Sequence, residues 1–351
     1  MSTYRAHEVT GSRRFELVDR DLVGPRSDRA RIRVHSCGVC HSDTLAVEGM
    51  RKDPDQAIVP GHEIVGVIDA VGSEVAKWAV GDRVGVGFLG GHCGVCPSCR
   101  RGDFVYCEDQ PRPGTTEDGG YAEYVYVRAS GLVRVPVELD SLHASPLLCA
   151  GVTTFNALRT LDLRPGALVG IQGIGGLGHL GVQYANKLGC QVVAIARGPE
   201  KHALATQLGA HHYIDTTTSD PGAELRRLGG ASAIIATAAR GASMSPLLAG
   251  LAPRGALVVV GAAPDPIAVD TGELVFKGRS IMGSLTGSSI QNEDALAFTA
   301  THGVAPLIEV TPFEDAPKAY ERMLSGKARF RVVLDMAVAA NDYTERTVTN
   351  P

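Results

Sequence analysis

The sequence predicts an α/β protein of two domains, one β-rich and barrel-like, the other doubly wound around a parallel sheet. Three observations carry this expectation. The chain has 351 residues, more than one typical core accommodates. Residues 1–145 hold short alternating apolar and polar runs, separated by Gly-Asp, Pro-Gly and Gly-Gly turns. Residues 146–288 change to a strand–helix rhythm, which implies parallel strands joined by crossover helices.

In chain order, the alternating runs 31–35, 64–71, 83–87 and 121–127 read as strands. After Pro146, residues 152–158 read as helix. Then come an apolar strand (167–172), a helix (177–188), a strand (191–196) and a helix (200–208), with further strands at 213–215, 233–238, 256–261 and 280–285. From 289 the pattern reverts: helix 292–301, strand 307–310, helix 316–324, strand 331–335. Residues 289–351 are expected to rejoin the first domain, which makes the doubly wound domain an insertion. The polar tail after Met336 is expected to fray.

Composition narrows the function. With 44% hydrophobic and 21% charged residues this is a globular chain, and its net charge of -4 leaves no footprint for nucleic acid. No apolar run approaches membrane-spanning length, and no signal peptide or anchor is expected at the start of the sequence. A cytoplasmic location follows as an expectation. In such a chain, clustered cysteines point to metal rather than disulfides. Cys93, Cys96, Cys99 and Cys107 have the spacing of a closed four-thiolate zinc site. Free or redox-active thiols are the alternative.

Gly173-Ile174-Gly175-Gly176-Leu177-Gly178 follows a strand and opens a helix. That context offers backbone N–H groups and a helix dipole to the pyrophosphate of a dinucleotide. The next strand ends in Ala196-Arg197-Gly198, with no carboxylate for the ribose hydroxyls. A guanidinium suits a 2'-phosphate, so Arg197 favours NADP over NAD, unless it stacks on adenine or points to water.

Cys40-His41-Ser42-Asp43 offers a thiolate, a hydroxyl and a carboxylate at a strand end. Gly61-His62-Glu63 and Cys149-Ala150-Gly151 would add an imidazole and a second sulfur. Spacing alone does not join these dispersed residues. Their order does, because Gly38-Val39-Cys40-His41-Ser42-Asp43, Gly61-His62-Glu63-Ile64-Val65-Gly66 with Gly72 and Val75, the four-cysteine lobe, Cys149-Ala150-Gly151-Val152-Thr153 and the glycine motif follow one another. In this the chain resembles the medium-chain, zinc-containing alcohol dehydrogenases over nearly its whole length. The resemblance implies a GroES-like catalytic domain (1–145 and 289–351) and a Rossmann-type nucleotide domain (146–288).

It further implies Cys40, His62 and Cys149 as catalytic zinc ligands, with Glu63 as the adjacent acid that can approach the metal. Asp43 would orient His62, and Ser42 would hydrogen-bond the substrate oxygen. His41 and Arg331 would face the cofactor pyrophosphate, Thr153 the nicotinamide, and Phe88 would wall the substrate pocket, where an ordinary core aromatic is the alternative. The activity implied is hydride transfer between a primary or secondary alcohol and NAD(P), by a homodimer or homotetramer. One departure stands out: the family's relay histidine, five residues after the first zinc cysteine, is here Leu45. An apolar side chain carries no proton, which keeps open a reductase of C=C or iminium bonds on the same scaffold. A zinc- and nucleotide-binding sensor without turnover is the reading from another class.

Overall fold

The computed structural model describes residues 2–50, 53 and 55–337, so the expectation for the tail falls mostly outside the described residues. In the first segment, β1 (Thr3–Thr10) and β2 (Arg14–Asp21) form an antiparallel hairpin with Thr10 opposite Arg14. β3 (Arg29–Val39) hides Ala30, Ile32 and Val34 while Arg33 faces solvent, then is buried without interruption from Ser36. The alternation reports one covered face, and the continuous run reports cover on both. β4 (Glu63–Val71), β5 (Arg83–Val86), β6 (Tyr124–Arg128) and β7 (Leu132–Arg134) complete this segment. β6 starts later than the alternation at 121–127 suggests. The backbone of Gly119, Gly120 and Tyr121 instead donates to Val59, Gly61 and Pro60.

The second compact unit spans residues 150–286. It holds β8 (Leu168–Gln172), β9 (Gln191–Ala196), β10 (His212–Asp215), β11 (Ala231–Ala236), β12 (Leu251–Val259) and β13 (Ser280–Gly283). All pair in parallel, in the order β10-β9-β8-β11-β12-β13. The order reverses at β8, the switch point at which doubly wound sheets bind nucleotides. Several elements differ from expectation, among them the short helices Gly241–Met244 and Thr271–Val275 and a strand expected at 233–238 that runs Ala231–Ala236. Helix Pro221–Arg227 was not expected, although Asp220 caps Ala223 N–H and Pro221 occupies the first turn. β12 begins at Leu251, because a left-handed Arg254 (φ 63°) and a register shift absorb a stretch that reads as a turn.

The return segment supplies helix Ser289–His302, β14 (Ile308–Pro312), helix Ala316–Leu324 and β15 (Arg331–Asp335). Described residues up to Cys149 and from Gly287 onward form the first compact unit. Its seven-stranded sheet runs β14-β15-β3-β4-β5-β7, with β6 also on β3. The core beneath gathers Ile32, Val34, Ile64, Ile68, Val84, Val86 and Tyr121 with Ala316, Ala319, Val332 and Leu334 from the return segment. No described helix is long and apolar enough to cross a membrane.

Candidate functional site

Strand register decides which residues meet in the first unit. Gly38 of β3 lies opposite Glu63 of β4 on one side and Val333 of β15 on the other. Cys40 just beyond β3, His62 just before β4 and Arg331 at the start of β15 therefore share one end of the sheet. Cys149 arrives on a π-helical turn, Leu147–Gly151, directly after helix Ser141–Pro146. Pro146 has no N–H for the helical ladder, and widened turns of this kind frequently mark functional sites.

One donor atom from each of Cys40, His62, Glu63 and Cys149 lies within 4.8 Å of the others, and all four residues are buried. The Cys40 and Cys149 sulfurs are 4.0 Å apart. His62 Nδ1 is 2.9 Å from Asp43 Oδ1, while its Nε2 is buried without a hydrogen-bond partner. Asp43 Oδ2 accepts from Cys40 N–H and from the Tyr121 hydroxyl, each at 2.9 Å. Glu63 Oε1 accepts from Arg331 Nη2 at 2.6 Å, and its Oε2 is buried and unpartnered.

The electrostatics fit a cation. The hydrogen bond between the two thiols holds Cys40 well below the usual thiol range, helped by His62 and Arg331 and opposed by burial. The same bond, with burial, pushes Cys149 well above it. Two sulfurs this close in a dry site share one negative charge unless a metal joins them. Burial works to keep His62 neutral, but the charges of Asp43 and Cys40 outweigh it and raise the imidazole well above its ordinary value. Burial also raises Glu63 to about 8 against the pull of Arg331. Two sulfurs, one imidazole whose buried Nε2 has no partner and a nearby carboxylate are the donors zinc favours, so the residues present fit a zinc ion.

Around this cluster, Phe88 stands edge-on to His62, ring centroids 5.1 Å apart. His41 is exposed and Ser42 half-buried on the 3₁₀ turn His41–Asp43; Leu45 is half-buried in the next short helix, Thr44–Val47. Arg331, 4% exposed, also donates to Val39 O at 3.2 Å, so in this unit it holds Glu63 against the end of β3.

Cys93, Cys96, Cys99 and Cys107 form the second cluster of mutually close donors. Backbone N–H groups of Cys93, Cys96 and Cys99 reach the sulfurs of Cys107, Cys93 and Cys96 at 3.3, 3.4 and 3.5 Å. Such bonds stabilise thiolates. Backbone N–H groups at Glu108 and Cys99 lower Cys96 to about 6, whereas burial and the Cys96 sulfur raise Cys99 to about 12.

The second unit holds the glycine turn. Gly173 has φ +86°, and a Cβ on Gly178 would sit 1.7 Å from Gly173 O, so only glycine allows the helix to start this close to the strand. A Cβ on Gly175 would meet nothing within 4 Å, which leaves open space beside the turn; Gly176 follows it in the same turn. Arg197 is exposed at the end of β9. The following Gly198 is held by Asp215, whose Oδ1 accepts its N–H at 2.8 Å. Thr153 is buried in helix Val152–Arg159. One residue of the first unit was not singled out in the sequence: Tyr121, which only its contact with Asp43 reveals.

Comparison with known proteins identifies the family. Residues 26–137 match the alcohol dehydrogenase GroES-like domain, and residues 176–301 match the zinc-binding dehydrogenase family. The chain is 43% identical, over 91% of its length and 94% of the relative's, to the alcohol dehydrogenase notN of Aspergillus sp. (strain MF297-2). It is 35% identical to the NADP-dependent alcohol dehydrogenase C 1 of Mycolicibacterium smegmatis, covering 96% of this chain and 98% of that one. The structure of a cinnamyl alcohol dehydrogenase from Sorghum bicolor superposes with a TM-score of 0.88 at 32% identity, over 98% of this chain and all of that one. With both domains matched in order and relatives spanning nearly its full length, the chain belongs to the medium-chain, zinc-containing alcohol dehydrogenase family and is an oxidoreductase.

Proposed function

We propose that this protein interconverts a primary or secondary alcohol and its aldehyde or ketone with NAD(P), at a zinc held by Cys40, His62 and Cys149. One observation carries the reading: a buried imidazole nitrogen with no partner lies beside two buried thiols 4.0 Å apart. When bound, zinc supplies Lewis-acid stabilisation of charge on the substrate oxygen, and the nicotinamide supplies the hydride acceptor or donor.

The chain's own groups do the rest. The Asp43 carboxylate, with Oδ1 2.9 Å from His62 Nδ1, favours the imidazole proton on that side, which leaves Nε2 for the metal. Ser42 hydrogen-bonds the substrate oxygen and moves its proton. With Leu45 in the relay position, the proton held at Ser42 would pass to water, or another group would take the relay's place. Glu63, steadied by Arg331, is the acid available when ligands exchange. Phe88 walls the substrate pocket. Gly173, Gly175, Gly176 and Gly178 would hold the pyrophosphate, with His41 and Arg331 as its further partners, and Thr153 would bind the nicotinamide. Arg197 takes the 2'-phosphate of NADP, a choice supported by the NADP-dependent relative. The four-cysteine lobe holds a second, structural zinc. Residues 1–145 and 289–351 form the catalytic domain and 146–288 the nucleotide domain. The inferred assembly is a homodimer or homotetramer in the cytoplasm, where the thiols stay reduced.

Steady-state kinetics over a panel of alcohols and aldehydes with both cofactors, with metal analysis of the same sample, tests this reading. Turnover is expected with two zincs per chain. In Cys40→Ser, turnover is expected to vanish and one zinc to be lost. A Cys40→Ser enzyme that keeps both zincs and full alcohol turnover overturns the assignment. Leu45 favours one second reading, reduction of C=C or iminium bonds, which predicts that such reduction survives in Cys40→Ser.

A further inference from the structure

Asp43 is 1% exposed, and its carboxylate has three neighbours that fix its plane. Oδ1 lies 2.9 Å from His62 Nδ1, and Oδ2 takes the Cys40 N–H and the Tyr121 hydroxyl, both at 2.9 Å. Of these three, Tyr121 alone is outside the ligand set and its turn. It is fully buried, and its ring packs on the peptide that precedes His62. A Cβ on Gly61 would meet Tyr121 Cδ1 at 2.4 Å and Cε1 at 2.8 Å, so the ring and a left-handed glycine (φ +98°) occupy one space. The Tyr121 backbone adds its N–H to Pro60 O at 2.9 Å, and the Gly120 N–H reaches Gly61 O at 3.0 Å. On its other side, Tyr121 O accepts from His7 N–H at 2.9 Å, which ties this segment to β1.

We propose that Tyr121 is a positioning residue for the metal centre, holding the His62 imidazole through Asp43 with its hydroxyl and through Gly61 with its ring. The inference rests on the assignment of Cys40, His62 and Cys149 as the zinc ligands. A carboxylate with two donors on Oδ2 cannot rotate away from the imidazole without breaking both. The proton on His62 is then kept on Nδ1, and Nε2 stays in line with the two sulfurs. Losing the hydroxyl leaves Oδ2 held by the Cys40 N–H alone, and the ligand that the carboxylate orients loosens with it. Partners of this kind shift metal affinity by about 10–100-fold when removed.

The test is Tyr121→Phe, which removes one oxygen and keeps the ring against Gly61. Zinc release from the purified holoenzyme to a chromophoric chelator should show two phases, one for each cluster. The phase absent from Cys40→Ser belongs to the catalytic site. Tyr121→Phe is expected to speed that phase about tenfold and leave the other unchanged. It should also shift the visible absorption bands of the cobalt(II)-substituted enzyme. In a double-mutant cycle with Asp43→Asn, the two effects on release should be markedly less than additive. Release within twofold of wild type with an unshifted cobalt spectrum overturns the proposal, as does equal acceleration of both phases. So does full additivity in the cycle. If Cys40→Ser loses neither phase, the ligand assignment itself has failed, a result separate from any effect of Tyr121.

Discussion

Gly38→Ala should be among the most damaging single-methyl additions in the first unit. The new Cβ would lie 1.9 Å from Glu63 Oε2 and 3.0 Å from Glu63 Cβ and Cδ, where ordinary contact starts at 3.4 Å. The carboxylate oxygen must therefore move about 1.5 Å, the difference between 3.4 and 1.9 Å. Glu63 is fully buried and bonded to Arg331 at 2.6 Å, so a shift of this size breaks that bond or drives β3 and β4 apart. Overpacking of this kind costs about 1–3 kcal/mol. Losing a hydrogen bond to a charged group adds about 1.5–3 kcal/mol.

A total of about 2.5–6 kcal/mol corresponds to a fall of at least roughly 5 °C in unfolding midpoint for a unit of this size. Thermal unfolding at one fixed scan rate measures it, with Gly24→Ala as the control, since a Cβ there meets nothing within 4 Å. Shortening the obstructing side chain in Gly38→Ala/Glu63→Asp should recover part of the loss. A Gly38→Ala midpoint within a degree of wild type would refute the claim that Glu63 fills the space over Gly38.

Three further outcomes are expected. Leu45→His should restore a titrating relay and change the pH–rate profile for alcohol oxidation; an unchanged profile removes the role assigned to this position. Arg197→Ala should lower the ratio of NADP to NAD catalytic efficiency about tenfold or more, as expected for a charge-assisted contact with phosphate; a constant ratio counts against Arg197 as the selecting group. His7 is buried between Phe15 and Phe313 with Nε2 2.9 Å from Phe313 O, and burial lowers its pKa below the ordinary 6.5, although Glu314 and Asp315 pull upward and Arg5 pulls down. A base lowered in the folded state favours folding above the unfolded value and loses that contribution as pH falls below about 6.5. Urea midpoints from pH 8 to 5 should thus fall more steeply for wild type than for His7→Gln, and parallel curves would rule this out.

The second unit was legible almost throughout. Its central strands Leu168–Gln172 and Gln191–Ala196 are largely apolar runs, and helices Gly178–Lys187 and Pro221–Arg227 start at glycine or proline, so there local pattern and final structure agree. The exceptions are informative. Helix Pro221–Arg227 carries its own capping aspartate and could have been read from it, whereas the left-handed Arg254 that carries β12 through a bulge leaves no trace in composition. The four-cysteine lobe was legible because its donors lie within fifteen positions, and loop closure over so short a span needs no help from the fold.

The metal cluster is the opposite case. By itself the sequence determined the donor types, Cys40, His62 and Cys149, and their order, but periodicity says nothing about two sulfurs separated by 109 positions. Their meeting depends on the register that sets Gly38 against both Glu63 and Val333, and on the π-helical turn that delivers Cys149. Tertiary structure alone decided that Arg331 grips Glu63 and that Tyr121 grips Asp43, across 268 and 78 positions of chain. The physical reason is that a buried polar atom must find a partner wherever the fold puts one, and only the packed chain shows where that is.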